Sequence, residues 1–196
     1  YQAQHTRNRL IPDRRTVVDG GTNPGYRMNT VTHPDAERSI IATFALRDEA
    51  ATTRLGSALA DALRQGDIIA LEGALGMGKT ALARGLVRRL CGCDTVVASP
   101  TFTLVQVYDT PDFPLWHCDL YRIENDEDAF EIGLGEAFTE AATLIEWPER
   151  LESLLPPHHL RLKFIREEAD GSRIAELSGD PDWSRRLKGI SLDERS

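Results

Sequence analysis

Hydrophobic and polar positions along the chain alternate between short apolar runs and amphipathic stretches. Runs rich in apolar and β-branched residues at 39–45, 67–71 and 142–147 are typical of buried strands. The stretches 47–63 and 81–90 repeat their apolar residues with the helical period, so each predicts a helix with one buried face. Strands that alternate with helices favour an α/β fold with a mainly parallel central sheet flanked by helices.

Further strand patterns predict antiparallel strands at the margin of this sheet. Residues 102–108 and 115–121 are rich in β-branched and aromatic residues, and a turn-forming stretch separates them, which indicates a hairpin. Residues 160–165 and 173–177 alternate between apolar and polar positions and predict a second, terminal hairpin. The remaining patterned segments predict a β-rich piece at 95–98 and a helix with an acidic first half at 126–138.

Composition limits the classes of protein to which this sheet can belong. With 196 residues and 41% hydrophobic content, the chain can bury one full core. No run approaches the roughly 18 consecutive apolar residues of a membrane span, so we expect a cytoplasmic protein that does not contact membranes. A formal charge of −8 and a pI near 5.2 argue against a broadly basic nucleic-acid surface. Contact with nucleic acid is therefore expected to be local or to pass through a partner.

The three cysteines, Cys91, Cys93 and Cys118, are too few for a disulfide framework. Together with His117 they could form a metal site, but zinc sites usually have wider, paired C-x-x-C spacing. Free thiols are the simpler interpretation.

Residues 73–80 read Gly-Ala-Leu-Gly-Met-Gly-Lys-Thr, which fits the pattern G-x-x-x-x-G-K-[ST] between a predicted strand and a predicted helix. Glycines let successive N–H groups converge on an anion, and the helix directs its positive end to the same place. Lys79 can reach the β- and γ-phosphates of a nucleotide, and the Thr80 hydroxyl can ligate magnesium. The predicted nucleotide-binding residues of this loop are Gly73, Ala74, Leu75, Gly76, Met77, Gly78, Lys79, Thr80 and Ala81.

Other residues are candidates for the chemistry around this phosphate loop. Asp119 and Glu146 each end a predicted strand, where a carboxylate could face magnesium or the attacking water; a solvated strand-end carboxylate is the alternative for either. Trp147 could stack near a nucleotide base or belong to the core. The segment 99–103 offers hydroxyl groups, including that of Thr101, to sense a γ-phosphate, although a plain turn would use the same residues.

Four motifs, taken in this order and spacing, resemble the TsaE (YjeE) family of small bacterial P-loop ATPases of the tRNA threonylcarbamoyladenosine machinery. They lie at residues 73–80, 99–102, 117–122 and 145–150. The resemblance implies that the chain binds ATP with Mg²⁺ and hydrolyses it. It also implies partners, TsaB and TsaD, of which TsaD transfers the threonylcarbamoyl group to the tRNA. Contact with tRNA would then be indirect, through the complex.

Carried over by position, the resemblance implies a role for each matching residue. Lys79, Thr101 and Asp119 would be catalytic, with Thr101 near the γ-phosphate and Asp119 serving hydrolysis. Thr80 and Glu146 would hold the metal.

The resemblance also implies which residues lie near the base of the nucleotide. Trp147 would lie beside the nucleotide. The helix 47–63 would lie near the base, where Thr52 or Thr53 could contribute.

The same reasoning divides the chain into three parts. Residues 1–38 are polar, without a sustained apolar period, and predict a flexible N-terminal extension. A start at Met28 would leave residues 1–27 upstream of the protein, and a native tail is the alternative. Residues 39–180 would form the P-loop ATPase domain, and residues 181–196 a C-terminal helix or tail.

Three functions are compatible with these residues. The first is a partner-dependent ATPase that is slow alone and stimulated in its complex, since only Arg122 and Arg150 are candidates for an arginine finger. The second is a small-molecule kinase, which should carry an Arg-bearing lid that the sequence does not show. The third is a nucleotide-sensing subunit without catalysis. Guanine specificity is disfavoured because an Asn-Lys-x-Asp segment is absent.

Overall fold

The structure is a computed structural model that describes residues 38–124, 126–151, 154–167 and 172–192. The predicted N-terminal extension, apart from its last residue Arg38, lies outside these ranges and stays a prediction. Within the described ranges, no helix combines the length and the apolar character needed to cross a lipid bilayer.

Strands and helices alternate along the described chain, as the hydrophobic pattern predicts. The strands are β1 (Ser39–Leu46), β2 (Ile68–Glu72), β3 (Val105–Asp109), β4 (Pro114–Asp119), β5 (Ala142–Glu146), β6 (Leu160–Arg166) and β7 (Arg173–Gly179). The helices are α1 (Glu49–Ala60), α2 (Lys79–Cys91), α3 (Asp126–Glu131), α4 (Leu134–Glu140) and α5 (Pro181–Arg186), and a 3₁₀ helix spans Pro148–Leu151.

The strands of the described chain form one sheet in the order β1-β7-β6-β2-β5-β4-β3. The four central strands, β6, β2, β5 and β4, are parallel to one another. At one margin β7 pairs antiparallel with β6, and β1 pairs antiparallel with β7. At the other margin β3 forms an antiparallel hairpin with β4. The predicted α/β fold, a mainly parallel sheet with antiparallel strands at its margin, is therefore confirmed.

Alternate residues of β2 face two separate hydrophobic layers. Ile69 and Leu71 join the larger core, which also contains the buried faces of α1 and α2. Ile68 faces the other side, where it joins the apolar side chains of α3, α4 and the 3₁₀ helix. Because both faces are covered, β2 is almost entirely apolar, as expected of a buried parallel strand. Its carboxyl end then opens at the edge of the sheet where the phosphate loop begins.

Helices α1 and α2 approach each other until their backbones touch. A Cβ atom on Gly56 of α1 would lie 2.0 Å from the carbonyl oxygen of Leu82, and one on Gly85 of α2 would lie 2.0 Å from that of Thr53. No side chain larger than hydrogen fits at either position. This close contact fixes the first turn of α1 beside the start of α2, where the phosphate loop ends.

Two segments predicted as strands are irregular. Residues 95–98 form no strand, and Val96 is 85% exposed. Strand β3 begins only at Val105, because residues 101–104 form a turn in which Leu104 has a φ of 64°. The prediction is wrong here because β-branched residues favour a strand only where they pair with a neighbouring strand, and residues 95–98 pair with none of the described strands. These residues instead form a loop next to the phosphate loop.

The prediction of one continuous helix over residues 126–138 is wrong. This segment is divided into α3 and α4 by a turn at Gly133, whose φ is 84°. A left-handed residue cannot continue a helix, and glycine adopts this conformation at little cost. The division lets α4 bury Leu134 and Ala137, of which Leu134 joins the smaller core.

The predicted C-terminal segment contains a short helix, α5, from Pro181 to Arg186. Asp180 caps it, because its carboxylate accepts hydrogen bonds from the N–H groups of Asp182 and Trp183. The Trp183 ring is buried in the larger core, and the Arg186 guanidinium lies 3.8 Å from its centroid. The last residues of the segment, 193–196, lie outside the described ranges.

Candidate active site

The phosphate loop connects the end of β2 to the start of α2 over residues 73–78. Its glycines Gly73, Gly76 and Gly78 have φ values of 138°, 79° and 111°, conformations that other residues rarely adopt. A Cβ on Gly73 would also lie 3.0 Å from that of Phe164. Gly78 caps α2 without a side-chain hydrogen bond, so the first N–H groups of this helix are available to an anion.

Lys79 is buried at the centre of the loop. Its Nζ atom donates to the carbonyl oxygens of Gly73 at 2.6 Å and Ala74 at 3.1 Å. The ammonium also lies 4.1 Å from the centroid of the Trp147 ring. Burial lowers the pKa of Lys79, while the carboxylates of Glu146, Glu149 and Asp119 oppose this shift. The loop carbonyls and the ring therefore hold a cation where the loop converges.

Glu146 connects the start of α2 to the end of β5 and to a buried histidine. Its Oε1 atom accepts a hydrogen bond from the Thr80 hydroxyl at 2.9 Å and lies 3.0 Å from Nε2 of His117. The side chains of Glu146 and His117 are both buried. Nδ1 of His117 has no hydrogen-bond partner in the described part of the chain. A hydroxyl and a carboxylate that meet in this way are hard oxygen ligands of the kind that magnesium prefers.

Asp119 is held by the irregular segment that follows residue 98. Its Oδ2 atom accepts a hydrogen bond from the Thr101 hydroxyl at 2.6 Å, and this hydroxyl lies 2.8 Å from that of Ser99. Oδ1 accepts from the N–H of Tyr121 at 3.0 Å. The N–H of Asp119 donates to the Leu104 carbonyl at 2.9 Å, which ties the segment to the end of β4. Asp119 and Thr101 thus form one hydrogen-bonded unit.

Trp147 lies beside Lys79 of the site and also packs against the smaller core. It directly follows β5 and has a φ of 62°, which is unusual for a residue with a large side chain. Its half-buried ring lies 5.0 Å from that of Tyr121 at an interplanar angle of 57°. Backbone strain of this kind is often found at functional sites, and here it directs the ring towards Lys79.

The remaining predicted residues contribute unequally. Arg122 donates to the Phe102 carbonyl at 2.6 Å, and Arg150 lies 6.0 Å from the Tyr121 ring, so each contacts a neighbouring segment of the site. Thr52 is buried beside the loop, where its methyl carbon would lie 3.3 Å from a Cβ on Gly78. Of the two threonines considered on α1, Thr52 is therefore the one beside the loop.

Two residues of the site were not singled out from the sequence for these contacts. Arg173, at the start of β7, lies beside the phosphate loop, with Nη1 3.5 Å from the Met77 carbonyl oxygen. It reaches the loop because β7 returns to the sheet next to β6, which the local sequence does not reveal. His117 precedes Asp119 by two residues, so its side chain lies on the same face of β4, and strand alternation could have indicated its contact with Glu146.

Comparison with known proteins shows the family to which the chain is similar. The family model described as "Threonylcarbamoyl adenosine biosynthesis protein TsaE" matches residues 46–175. The chain is similar to the "tRNA threonylcarbamoyladenosine biosynthesis protein TsaE" of Rickettsia bellii, with 44% identity over 69% of this chain and 93% of the relative. It is also similar to the protein of the same name from Rickettsia felis, with 42% identity over 72% of this chain and 90% of the relative.

A solved structure has the same fold. The crystal structure of Bacillus subtilis YdiB superposes with a TM-score of 0.62 and 27% sequence identity, over 75% of this chain and 90% of that one. The matched portion of the chain in the family model contains the phosphate loop, both strand-end carboxylates and Trp147, and it ends before α5.

Proposed function

This chain belongs to the TsaE family, and from that premise we propose that it is a magnesium-dependent ATPase acting in the biosynthesis of tRNA threonylcarbamoyladenosine. The names of its relatives imply a role in this modification, and the family and the P-loop fold imply nucleotide binding. One observation carries the ATPase proposal. The Thr80 hydroxyl and the Glu146 carboxylate meet at the end of the phosphate loop, beside the unit formed by Asp119 and Thr101.

The phosphates would be held by the loop backbone, Lys79 and the first N–H groups of α2. Lys79 would exchange its bonds to the carbonyls of Gly73 and Ala74 for bonds to the β- and γ-phosphates, a short movement for a flexible ammonium. Leu75, Gly76, Met77, Gly78, Thr80 and Ala81 would complete the predicted contacts of the loop. Binding energy is used here mainly to position the γ-phosphate.

Thr80 and Glu146 would hold the metal ion. Their oxygens already lie 2.9 Å apart, and both are ligand types suited to magnesium. His117, as a hydrogen-bond donor to Oε1 of Glu146, would orient this carboxylate from behind. When bound, magnesium neutralises negative charge that develops on the phosphate oxygens.

Asp119 and Thr101 would serve hydrolysis. Asp119 is buried and connected to the Ser99–Thr101 hydroxyls, so it can orient an attacking water and accept its proton while Thr101 responds to the γ-phosphate. Arg122 already holds this segment through the Phe102 carbonyl, and Arg150 is exposed. Without a well-placed arginine finger, intrinsic turnover should be low.

We place the base end of the nucleotide near Trp147 and Thr52. The Trp147 ring borders the loop, and Thr52 lies beside Gly78 on the α1 side. A flat, half-buried ring can stack on a purine without the hydrogen bonds that a specific pocket would need.

TsaB and TsaD would bind at the mouth of this site in the cytoplasm, and tRNA would be reached through them. Leu75, in the phosphate loop, and Phe102, in the segment bonded to Arg122, are both 88% exposed. Two apolar side chains exposed beside the reacting groups favour a protein partner, because burial on binding would be favourable and would exclude water from the site.

Measurement of phosphate release tests the proposal. We expect slow ATP hydrolysis by the purified chain, a rate at least tenfold higher with TsaB and TsaD, and loss of both rates when EDTA removes magnesium. Equal rates with and without the pair would overturn partner stimulation. Nucleotide binding without hydrolysis in the full complex would favour the nucleotide-sensing alternative, and phosphate transfer to a small acceptor would favour the kinase.

A further inference from the structure

A second cleft lies outside the site described above. It has a volume of about 750 Å³ and is formed by α1, the C-terminal half of α2 and the segment 186–192. None of its lining residues belongs to the phosphate loop. Its floor lies where Gly85 brings α2 against the Thr53 backbone, so the two helices cannot separate easily. A volume of this size is sufficient for a ligand as large as a nucleotide.

The charged side chains that line this cleft are mostly basic. Asp61 is the acidic residue among the lining residues, and the whole chain has a formal charge of −8, so this surface has the opposite sign to the protein average. The basic residues that line the cleft are Arg54, Arg88, Arg89, Arg186 and Lys188.

Only two of the five cations are neutralised by carboxylates. Arg89 pairs with Asp61 at 2.9 Å, and Arg186 pairs with the carboxylates of Asp67 and Asp182. The other three cations form no ion pair within the described residues; they are Arg54, Arg88 and Lys188.

Arg54 gives the strongest indication that the cleft binds a ligand. Its Nε atom is buried and has no hydrogen-bond partner in the described part of the chain. Buried donors without a partner are rare in native proteins, so such groups usually have an explanation. Arg88, at the end of α2, is partly explained by its favourable position at the negative end of a helix. Lys188 likewise lies just past Leu187, the C-cap of α5, but Arg54 lies within α1, where that explanation does not apply.

We propose that this cleft binds a phosphate-bearing ligand. The guanidinium groups of Arg54 and Arg88 present planar sets of donors that match phosphate oxygens, and Lys188 adds a third positive charge. Ser57 and Ser191 add hydroxyl groups to the lining. The same chemistry suits a small phosphate compound or the sugar–phosphate backbone of RNA, which must be distinguished by experiment.

The cleft is separate from the site proposed for ATPase activity, because none of its lining residues belongs to the phosphate loop and Asp119 and Glu146 do not line it. The family model ends at residue 175, so the wall formed by segment 186–192 lies beyond the part of the chain that this model matches. The cleft could therefore bind its ligand whether or not the phosphate loop hydrolyses ATP.

The test compares two triple variants in a Lys79→Ala background, which weakens phosphate binding by the loop. One variant carries Arg54→Gln, Arg88→Gln and Lys188→Gln. The matched control removes three exposed cations outside the cleft, with the substitutions Arg47→Gln, Lys163→Gln and Arg166→Gln. Both lose the same net charge, so a difference between them reports position rather than charge. Thermal unfolding checks that each variant is folded, and Lys188→Gln alone, at an exposed position, provides a mild second variant.

Two probes are used, pyrophosphate by calorimetry and labelled tRNA by fluorescence anisotropy at several salt concentrations. We expect the cleft variant to bind at least tenfold more weakly than the background protein, and the control to bind about as well as the background. For tRNA, the salt dependence should fall by about one in log–log slope for each cation removed. Binding of pyrophosphate identifies a small ligand, and binding of tRNA alone identifies RNA. Equal weakening in the two variants, or no binding of either probe to the background protein, would overturn the proposal.

Discussion

Asp119 and Glu146 lie directly opposite each other in the parallel pair β4–β5, but each carboxylate bonds to a different threonine. Glu146 accepts from Thr80 at the start of α2, and Asp119 accepts from Thr101 in the segment before β3. Two neighbouring carboxylates thus connect to two separate parts of the site. Substitution of each residue should accordingly have a different effect on binding and on hydrolysis.

Replacement of Asp119 should abolish hydrolysis and spare nucleotide binding. We expect Asp119→Ala to lower the rate of ATP hydrolysis by about 100-fold or more, the usual effect of removing a general base. The affinity for ADP should change by less than about threefold, because the phosphate contacts of the loop and Lys79 remain. Rates of phosphate release and a binding titration on the same sample measure the two effects.

Glu146→Gln is the informative comparison for this variant. The amide keeps the size of the side chain but is a poorer magnesium ligand, so this variant should require more magnesium for the same rate. If Asp119→Ala hydrolyses ATP at the wild-type rate, Asp119 is not the group that orients the attacking water and accepts its proton. If Glu146→Gln requires the same magnesium concentration as the wild type, Glu146 is not a magnesium ligand.

Trp147 should report nucleotide binding by its fluorescence. Lys79 lies 4.1 Å from its ring centroid, so movement of the ammonium towards a phosphate changes the electrostatic surroundings of the ring. Addition of Mg-ADP should therefore change the emission of the wild type and of Trp183→Phe, whose altered ring is buried away from the loop. The same addition should leave Trp147→Phe unchanged. A full response in Trp147→Phe would show that another tryptophan reports the binding.

Lys79→Ala tests the loop by calorimetric titration with ADP, because the fluorescence signal itself depends on the Lys79 ammonium beside Trp147. The loss of charge-assisted hydrogen bonds to phosphate is worth about 1.5–3 kcal/mol, so the dissociation constant for ADP should rise about 10- to 150-fold. An unchanged dissociation constant would mean that the ammonium remains on the carbonyls of Gly73 and Ala74 when the nucleotide is bound.

The sequence predicted those elements of the fold that are defined by a few neighbouring residues. The glycine spacing of the phosphate loop defines a backbone shape within eight residues, and the apolar run of β2 reflects burial on both faces. The position of Asp119 and Glu146 at strand ends was likewise visible, because parallel strands bring their carboxyl ends to one edge.

Features that depend on distant segments could not be predicted in this way. Residues 95–98 resemble a strand but pair with none of the described strands, and Arg173 reaches the phosphate loop only because β7 pairs with β6. Gly56 and Gly85 appear in the sequence as ordinary helical glycines, since nothing local records that another backbone lies 2.0 Å from their missing Cβ atoms. These properties arise from the order of strands and the packing of helices.

Because α1 and α2 are in close contact, we expect one added methyl group between them to lower the free energy of unfolding strongly. Gly85→Ala would place its Cβ atom 2.0 Å from the Thr53 carbonyl oxygen, which forces the helices apart. Overpacking in a core usually costs about 1–3 kcal/mol, and a backbone clash of this size should lie at or above the upper end of that range.

The matched control for this variant is Gly135→Ala in α4. Its nearest neighbour would be a Phe130 ring atom at 3.8 Å, an ordinary contact, so the higher helix propensity of alanine should stabilise the protein by up to about 1 kcal/mol. Urea denaturation of both variants measures the difference. Equal stabilities would show that α1 and α2 adjust to the added methyl group with little strain.

A buried histidine at the start of β6 should control stability in weak acid. His159 is 6% exposed, its Nδ1 lies 2.6 Å from the Pro156 carbonyl oxygen, and its Nε2 lies 2.6 Å from Nη1 of Arg38. These contacts suit a neutral ring that donates through Nδ1 and accepts through Nε2. Burial lowers the pKa of His159 to about 4; the nearby guanidinium of Arg38 adds to this effect, and the Pro156 carbonyl opposes it.

The free energy of unfolding should therefore fall as the pH falls from about 6.5 to about 4. In this window the unfolded chain, with an ordinary histidine pKa of 6.5, binds a proton that the folded ring does not. A difference of about 2.5 pKa units, at 1.36 kcal/mol each, corresponds to a loss of about 3 kcal/mol that is complete below pH 4. Above pH 6.5 both states are neutral and this group contributes no slope. Urea denaturation between pH 7.5 and 4 should show a shallower decline for His159→Gln than for the wild type, and identical declines would mean that the ring takes up a proton without leaving its position.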